Sequence, residues 1–196
     1  MFDRAEIEAF WQRWLEANRW AEETRDWKPL ADFYAEDATY GWMYHPDEHF
    51  MAVGRDEIRE YALGTEMFGM DGWTYEYVAT VIDDRSGMIV GFWKQHSGIL
   101  DEEGREYEIA GIGGSWFGYD GDGHFAWQRD WFDLNSTGQT FLDILKAGKA
   151  PEALVQRMSL DGPSQPGHYT AADLPSTVWP PGVGSEPARA TAGGPA

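Results

Sequence analysis

From Trp73 to Asp133 the chain reads as consecutive strand-like segments separated by short turns rich in glycine and acids. The segments run Trp73 to Ile82, Met88 to Gly98, Glu106 to Tyr119 and His124 to Asp133. Between them lie Asp83-Asp84-Arg85-Ser86-Gly87, Asp101-Glu102-Glu103-Gly104 and Asp120-Gly121-Asp122-Gly123. Connections this short join antiparallel neighbours, because a parallel crossover needs a dozen residues or more. The spacing therefore predicts an antiparallel meander and argues against a parallel, doubly wound sheet.

Helical signals come first in the chain. From Arg4 to about Glu23, the residues Ile7, Phe10, Trp11, Trp14, Leu15 and Ala17 recur at steps of three and four, as one buried helical stripe requires. Asp26 can cap a short second helix through Leu30, Phe33 and Tyr34, and Asp37 to Tyr44 then alternates as a first strand. His45 to Val53 reads as a polar loop, and Gly54 to Leu63 as a third helix ending near Gly69. Thr137 to Lys149 and Pro151 to Met158 read as short terminal helices. Helices followed by hairpin-linked strands define an α+β domain over residues 1–158, with the helices on one face of a sheet that curves into a cup. From 159 to 196, Pro, Gly, Ala, Ser and Thr dominate, which predicts a largely mobile tail that Tyr169 and Trp179 could dock in part.

Composition narrows the function. With 196 residues, 42% of them hydrophobic, the chain supports one domain with a sizeable core. The 34 acidic residues against 15 basic ones give a formal charge of -19, which repels nucleic acid and anionic lipid surfaces. The absence of cysteine removes disulfides, thiolate metal sites and cysteine nucleophiles together. The N-terminus lacks a basic start and no run reaches membrane-spanning length, so the expected location is the cytoplasm.

The candidate chemistry centres on Trp127-Gln128-Arg129-Asp130-Trp131-Phe132-Asp133. Strand alternation puts Asp130 on one face with Gln128 and Phe132, and Trp127, Arg129 and Trp131 on the other. A carboxylate facing an apolar interior must be paired, hydrogen bonded or functional. On Met88 to Gly98, alternation groups Val90, Phe92, Lys94 and His96 against Ile89, Gly91, Trp93 and Gln95. If the first group is concave, Lys94 and His96 enter the cup with Asp130 and with Tyr40 from the first strand. They would form an acid–base set of carboxylate, imidazole, cation and phenol. The opposite parity places Trp93 inward, Lys94 and His96 in solvent, and leaves Asp130 as an ion-pair partner.

The runs Tyr34-Ala35-Glu36-Asp37-Ala38-Thr39-Tyr40, Val53-Gly54-Arg55-Asp56-Glu57-Ile58 and Arg129-Asp130-Trp131-Phe132-Asp133, in that order, resemble the nuclear transport factor 2-like superfamily, in particular its SnoaL-like and limonene epoxide hydrolase branches. The resemblance spans about Phe10 to Leu145 and implies a cone-shaped α+β barrel around a deep apolar pocket, commonly a homodimer. It fixes no single activity, because the scaffold hosts lyases, isomerases, hydrolases, cyclases and binders. It implies that Asp130 matches the epoxide hydrolase branch's water-activating aspartate and Tyr40 its water-positioning tyrosine. Lys94 stands where that branch has an arginine, His96 where it has a second, proton-donating aspartate, and Trp42 where it has an asparagine. A lysine cannot bridge two carboxylates as an arginine does, and tryptophan removes a water-holding amide, so epoxide hydrolysis is disfavoured.

Ile109, Gly111, Gly113 and Ser115 share one face of the third long strand, where glycines would leave a cavity open. Trp42, Phe92, Phe132, Tyr61, Phe68 and Met67 are candidate walls, suited to a flat, neutral, aromatic substrate. Trp93, Trp116, Trp127 and Trp131 would form an outer apolar patch that a homodimer covers. His45-Pro46-Asp47-Glu48-His49 has metal-ligand residue types without fixed geometry; it reads as a solvated loop, or as a lid with His49 reaching the pocket, and no metal is expected. The expected function is a cofactor-free lyase on a hydrophobic aromatic molecule, by elimination or carbon–carbon cleavage. Superfamily members that remove formaldehyde from lignin-derived diaryl compounds supply the analogy. An epoxide hydrolase, an isomerase or a non-catalytic carrier in the same pocket is the alternative.

Overall fold

A computed structural model describes residues 1–160, 162–181 and 183. Helix α1, Arg4–Thr24, starts where the Asp3 side chain accepts from the Ala5 N–H and stops at Arg25, whose backbone turns left-handed. Its apolar stripe, Ile7, Phe10, Trp11 and Trp14, is buried against the sheet as the helical spacing predicts. Phe10 and Trp14 meet Phe125, and Trp14 also meets Phe117, in edge-to-face contacts. Such contacts contribute about 0.5–1.5 kcal/mol each beyond area burial. Asp26 accepts from the Lys28 N–H and starts a 3-10 turn, Lys28–Phe33, shorter than the second helix expected there.

Among the described residues eight strands form one open sheet: β1 (Tyr34–His45), β2 (Glu48–Val53), β3 (Thr74–Asp83), β4 (Met88–Leu100), β5 (Glu106–Glu108), β6 (Gly113–Tyr119), β7 (Phe125–Trp131) and β8 (His168–Tyr169). The order across the sheet is β3-β4-β6-β7-β1-β2-β8, with β5 beside β4. The meander β3-β4-β6-β7 is antiparallel as expected. The sheet as a whole is mixed, because β1 inserts beside β7 in parallel, with Tyr40 opposite Gln128 and Gly41 opposite Arg129. This pairing joins the first strand to the last strand of the meander and brings residues 90 apart in sequence into contact.

The loop expected over His45 to Val53 is instead a hairpin partner of β1. Glu48-His49-Phe50-Met51-Ala52 is buried on both faces, so period-two alternation is absent and cannot reveal the strand. The expected strand Glu106 to Tyr119 is broken at 109–112, where Gly111 takes a φ of 136°. The third helix is a short turn, α2 (Arg55–Glu57), that widens into a π-helical turn, Ile58–Ala62. After β7 come α3 (Leu134–Lys146), capped by Asp133, and α4 (Glu152–Met158). No helix among the described residues is long and apolar enough to cross a membrane.

Part of the segment 164–181 docks on the sheet rather than trailing from it. His168 and Tyr169 add β8 to the edge of β2, and Met51 N–H donates to Gly167 O. On the outer face Arg129 donates to Val178 O and Thr177 O, and Trp179 meets Trp116 edge-on. Tyr169 and Trp179 are the anchors the sequence offers for this docking, while the Arg129 contacts to the backbone of 177 and 178 have no signal in a Pro/Gly-rich background. The remainder of the expected mobile tail, residues 184–196, lies outside the described residues.

The parity of β4 is the reverse of the one that would join Lys94 and His96 to Asp130. Ile89, Gly91, Trp93 and Gln95 point inward, and Lys94 is exposed. Trp93 therefore leaves the expected outer patch, which keeps Trp116, Trp127 and a half-buried Trp131. Two glycines make the inward aromatics possible: a Cβ on Gly113 would lie 2.1 Å from the Trp93 ring, and one on Gly91 2.5 Å from the Tyr77 ring. Gly113→Ala should cost about 1–3 kcal/mol in urea unfolding through forced displacement of Trp93. Unchanged stability would mean that Trp93 does not lie over this backbone.

Candidate active site

Inside the cup is a cavity of about 370 Å³ lined mainly by aromatic side chains. That volume falls within the range of roughly 300–1,000 Å³ of small-molecule pockets. α1 contributes Trp14 and Asn18; β1 contributes Tyr40, Trp42 and Tyr44; β3 and β4 contribute Tyr75, Tyr77, Trp93 and Gln95; β6 and β7 contribute Ser115, Gln128 and Asp130. Phe132, α3 and α4 close one side, the last through Arg157 and Met158.

Asp130 is the carboxylate of this inner surface. Its Oδ2 accepts from the Tyr40 hydroxyl at 2.6 Å and its Oδ1 from Gln128 Nε2 at 2.7 Å. The Tyr34 hydroxyl donates to Gln128 Oε1, which fixes the amide so that its N–H groups face Asp130. Ser115 Oγ, which accepts from Trp93 Nε1 at 3.0 Å, joins the same network. Burial raises the Asp130 carboxyl above its ordinary range, and hydrogen bonds from Tyr40, Gln128 and Ser115 counter only part of that rise. Burial beside this carboxylate holds the Tyr40 phenol well above its usual value, so Tyr40 stays a neutral donor.

A second carboxylate lines the cavity but behaves oppositely. Glu66 Oε2 accepts from the Tyr44 hydroxyl at 2.6 Å and from Arg157 Nη2 at 3.1 Å, and Oε1 meets His168 Nε2 at 3.0 Å. Burial pushes Glu66 up, but His168 and Arg157 outweigh it and leave the carboxyl below its ordinary range. His168 Nδ1 meets Glu48 Oε1 at 2.7 Å, so both ring nitrogens face carboxylates, a geometry that suits the imidazolium.

Several expected site residues converge here and others do not. Tyr40, Trp42, Met67, Phe132 and Asp130 line the cavity. Lys94 lies on the convex face opposite Glu76, and His96 is there with Glu106 at 3.0 Å, Glu76 at 3.8 Å and Glu108 at 3.9 Å. The expected meeting of Lys94 and His96 with Asp130 is thus corrected: the charged side of β4 faces solvent, where its charges need no desolvation. Phe92 is also convex, against Trp131. Ile109 packs in a separate cluster with Trp73 and Ile144. Gly111 abuts Asp133, and Gly113 lies under Trp93, so neither glycine opens the cavity. Tyr61 packs on the core without reaching the cavity, and Phe68 is exposed. His49 is buried within β2 with Nδ1 unpartnered, which replaces its expected place on a lid. Among the described residues no group of three or more His, Asp or Glu is placed to hold a metal ion.

Trp93, Gln95, Gln128, Ser115, Tyr44, Glu66 and Arg157 belong to the cavity without having been singled out as site residues. For β4 a signal existed: Lys94 and His96 have charged partners on neighbouring strands, Glu76 and Glu108, which marks a solvent face. For Glu66, in a 3-10 turn, and Arg157, in α4, there was none.

The fold is that of the nuclear transport factor 2-like proteins. No family model matches the sequence, and no curated protein matches it. Among solved structures, one described as a SnoaL-like polyketide cyclase from Jannaschia sp. CCS1 is similar at a TM-score of 0.51 and 12% identity, over 77% of this chain and 99% of that one. Another described in the same way, from Shewanella putrefaciens CN-32, has a TM-score of 0.51 and 14% identity over 67% and 85%. A nuclear transport factor 2-like protein from Anabaena variabilis ATCC 29413 has a TM-score of 0.50 and 16% identity over 68% and 94%.

The pH response of β8 follows from His168, whose surroundings are Glu48, Glu66, Arg157 through Glu66, His45 through Glu48, and the stacked Tyr44 ring. Burial opposes the charge, but hydrogen bonds to Glu66 and Glu48 raise its pKa above the ordinary value. A raised folded-state pKa gives stability present below about 6.5 and lost as pH rises through the folded value. Amide exchange of His168 and Tyr169, corrected for intrinsic rate, should therefore accelerate on the alkaline side, and His168→Gln should flatten that dependence. Protection that is flat or rising with pH would show that the imidazolium does not hold β8.

Proposed function

We propose that the protein is a cofactor-independent acid–base enzyme acting on a flat, neutral, hydrophobic aromatic molecule, as a lyase that breaks a carbon–carbon bond beside a hydroxyl group. The observation that carries this reading is Asp130, a carboxylate with raised pKa in an apolar cavity, held by Tyr40 and Gln128 and, among the described residues, by no cation at contact distance. Such a group takes up a proton more readily than an ordinary aspartate and can give it back.

One base completes the cycle. Asp130 removes the hydroxyl proton, the O–H electron pair becomes the C=O π bond, and the adjacent C–C bond breaks. Its electron pair passes to the ring-bearing carbon, where the aromatic system delocalises it, and that carbon takes the proton back from Asp130. The products are an aldehyde, formaldehyde when the leaving fragment is a hydroxymethyl group, and the shortened aromatic compound. Tyr40 keeps the carboxylate oriented and supplies a neutral hydrogen bond throughout. Run in reverse the same cycle adds the aryl-stabilised carbanion to an aldehyde and forms a carbon–carbon bond. Isomerisation needs the same removal and return of one proton. Epoxide opening is less well served, because it calls for a second acid and Glu66 is held ionised by His168 and Arg157.

With a diaryl substrate carrying a hydroxymethyl group, formaldehyde release should fall roughly 10²–10⁴-fold in Asp130→Asn. Tyr40→Phe should cost about 10–100-fold, the worth of a hydrogen bond to a charged group. Substrate affinity should change little in either variant. Binding without turnover of any candidate would identify a carrier, and solvent oxygen-18 in the product would identify a hydrolase.

We also propose that a second copy covers the outer face around Trp116 and Trp131. Sedimentation equilibrium should return twice the chain mass, and a monomer mass at all concentrations would show that residues 177–179 suffice as cover.

A further inference from the structure

At a distance from Asp130 the cavity carries a second polar station, made of neutral groups. Gln95 reaches it from β4 and Asn18 from α1; they are only 7% and 6% exposed, and both line the cavity. Asn18 Nδ2 donates to Glu22 Oε1 at 3.2 Å, and the same oxygen accepts the Tyr75 N–H at 2.6 Å. The carboxylate fixes the Asn18 amide and leaves its Oδ1 without a partner among the described residues. Gln95 Nε2 lies 3.3 Å from the Tyr75 hydroxyl, and Gln95 Oε1 has no partner among the described residues. Turning the Gln95 amide over would let Tyr75 donate instead. In both orientations the Gln95–Tyr75 pair keeps at least one unused donor and one unused acceptor.

These free atoms differ from the other unpaired polar atoms of the interior. Trp14 Nε1, Trp42 Nε1 and His49 Nδ1 have almost no accessible surface, although the Trp14 and Trp42 rings also line the cavity, whereas the unpartnered oxygens of Asn18 and Gln95, on two other cavity-lining residues, are not among these sealed atoms. Buried polar groups are ordinarily satisfied, so unused capacity on a cavity wall is capacity for what enters the cavity. The matching group must both donate and accept, which is the property of a hydroxyl. Its carrier is not an anion: the cavity's own carboxylates, Asp130 and Glu66, repel anions, and Arg157 is already held by Glu66 and by Thr65 O and Phe68 O.

The sheet register sets the span. Asp130 lies opposite Ser115, and Ser115 opposite Gly91, so the three form one row across β7, β6 and β4. Gln95 is four residues further along β4, about 13 Å at ~3.3 Å per residue. Trp93 and Tyr75, edge to face at 5.4 Å, flank the way between.

Building on the acid–base reading, we propose that Gln95 and Tyr75, with Asn18 beside them, form a recognition site for a hydroxyl at the far end of the substrate. The substrate class is then a neutral aromatic molecule of two rings, with its reacting group at Asp130 and its hydroxyl at Gln95.

The test measures binding, so its outcome is independent of turnover. Quenching of tryptophan fluorescence by trans-stilbene, trans-4-methoxystilbene and trans-4-hydroxystilbene gives the affinities for the full-length protein, Gln95→Leu and Asp130→Asn. The wild-type protein should prefer the hydroxy compound at least tenfold over the other two. Gln95→Leu should lose that preference while keeping its affinity for trans-stilbene, and Asp130→Asn should retain it. If Gln95→Leu does not fold, the wild-type ranking and its persistence in Asp130→Asn decide. Equal affinities in the wild type, a preference lost only in Asp130→Asn, or no binding of any probe would each overturn the proposal. Loss of turnover in Asp130→Asn bears on the acid–base reading alone.

Discussion

Everything proposed for this protein depends on the pairing of β1 with β7. Parallel pairing puts Tyr40 opposite Gln128, and from those two positions the phenol and the amide each donate to one oxygen of Asp130. A carboxylate in an apolar cup is otherwise costly to keep. Tyr34, at the start of β1, completes the arrangement by turning the Gln128 amide toward Asp130. A one-residue slip of β1 against β7 would turn Tyr40 to the face opposite Asp130 and remove its hydrogen bond.

Charge is separated across the sheet. Arg129, the neighbour of Asp130 in sequence, points to the opposite face and is tied to Thr39 and to the carbonyls of Thr177 and Val178. Burial lowers it to about 10, and its hydrogen bonds are spent on holding the C-terminal segment. Asp130 has no salt bridge among the described residues, and burial raises its pKa. Glu66, in the same cavity, has both Arg157 and His168, and its pKa falls. Two carboxylates driven apart in this way suit different roles: in the proposed mechanism Asp130 exchanges protons, while Glu66 anchors α4 and β8 around the rim.

Much of this was legible in the residues because it is local. The period of α1, the acidic glycine turns and the parity of Gln128, Asp130 and Phe132 each follow from neighbours in sequence. The parity of β4 was ambiguous because both faces carry large apolar residues, Phe92 on one and Trp93 on the other; cross-strand charges decide it, and these require the register. β2 was hidden by burial on both faces. The His168 network joins β2, a 3-10 turn and β8, separated by up to 120 residues, and no short pattern encodes such a meeting.

The central claim is that Asp130 titrates as a buried, hydrogen-bonded carboxyl without an ion-pair partner. A carbon-13 titration of the Asp130 side chain in the wild type and in Tyr40→Phe measures this directly. The account predicts a midpoint above the ordinary aspartate value of about 3.9, moving higher when the Tyr40 hydroxyl is removed. A midpoint at or below that value, or one that Tyr40→Phe lowers, would contradict it.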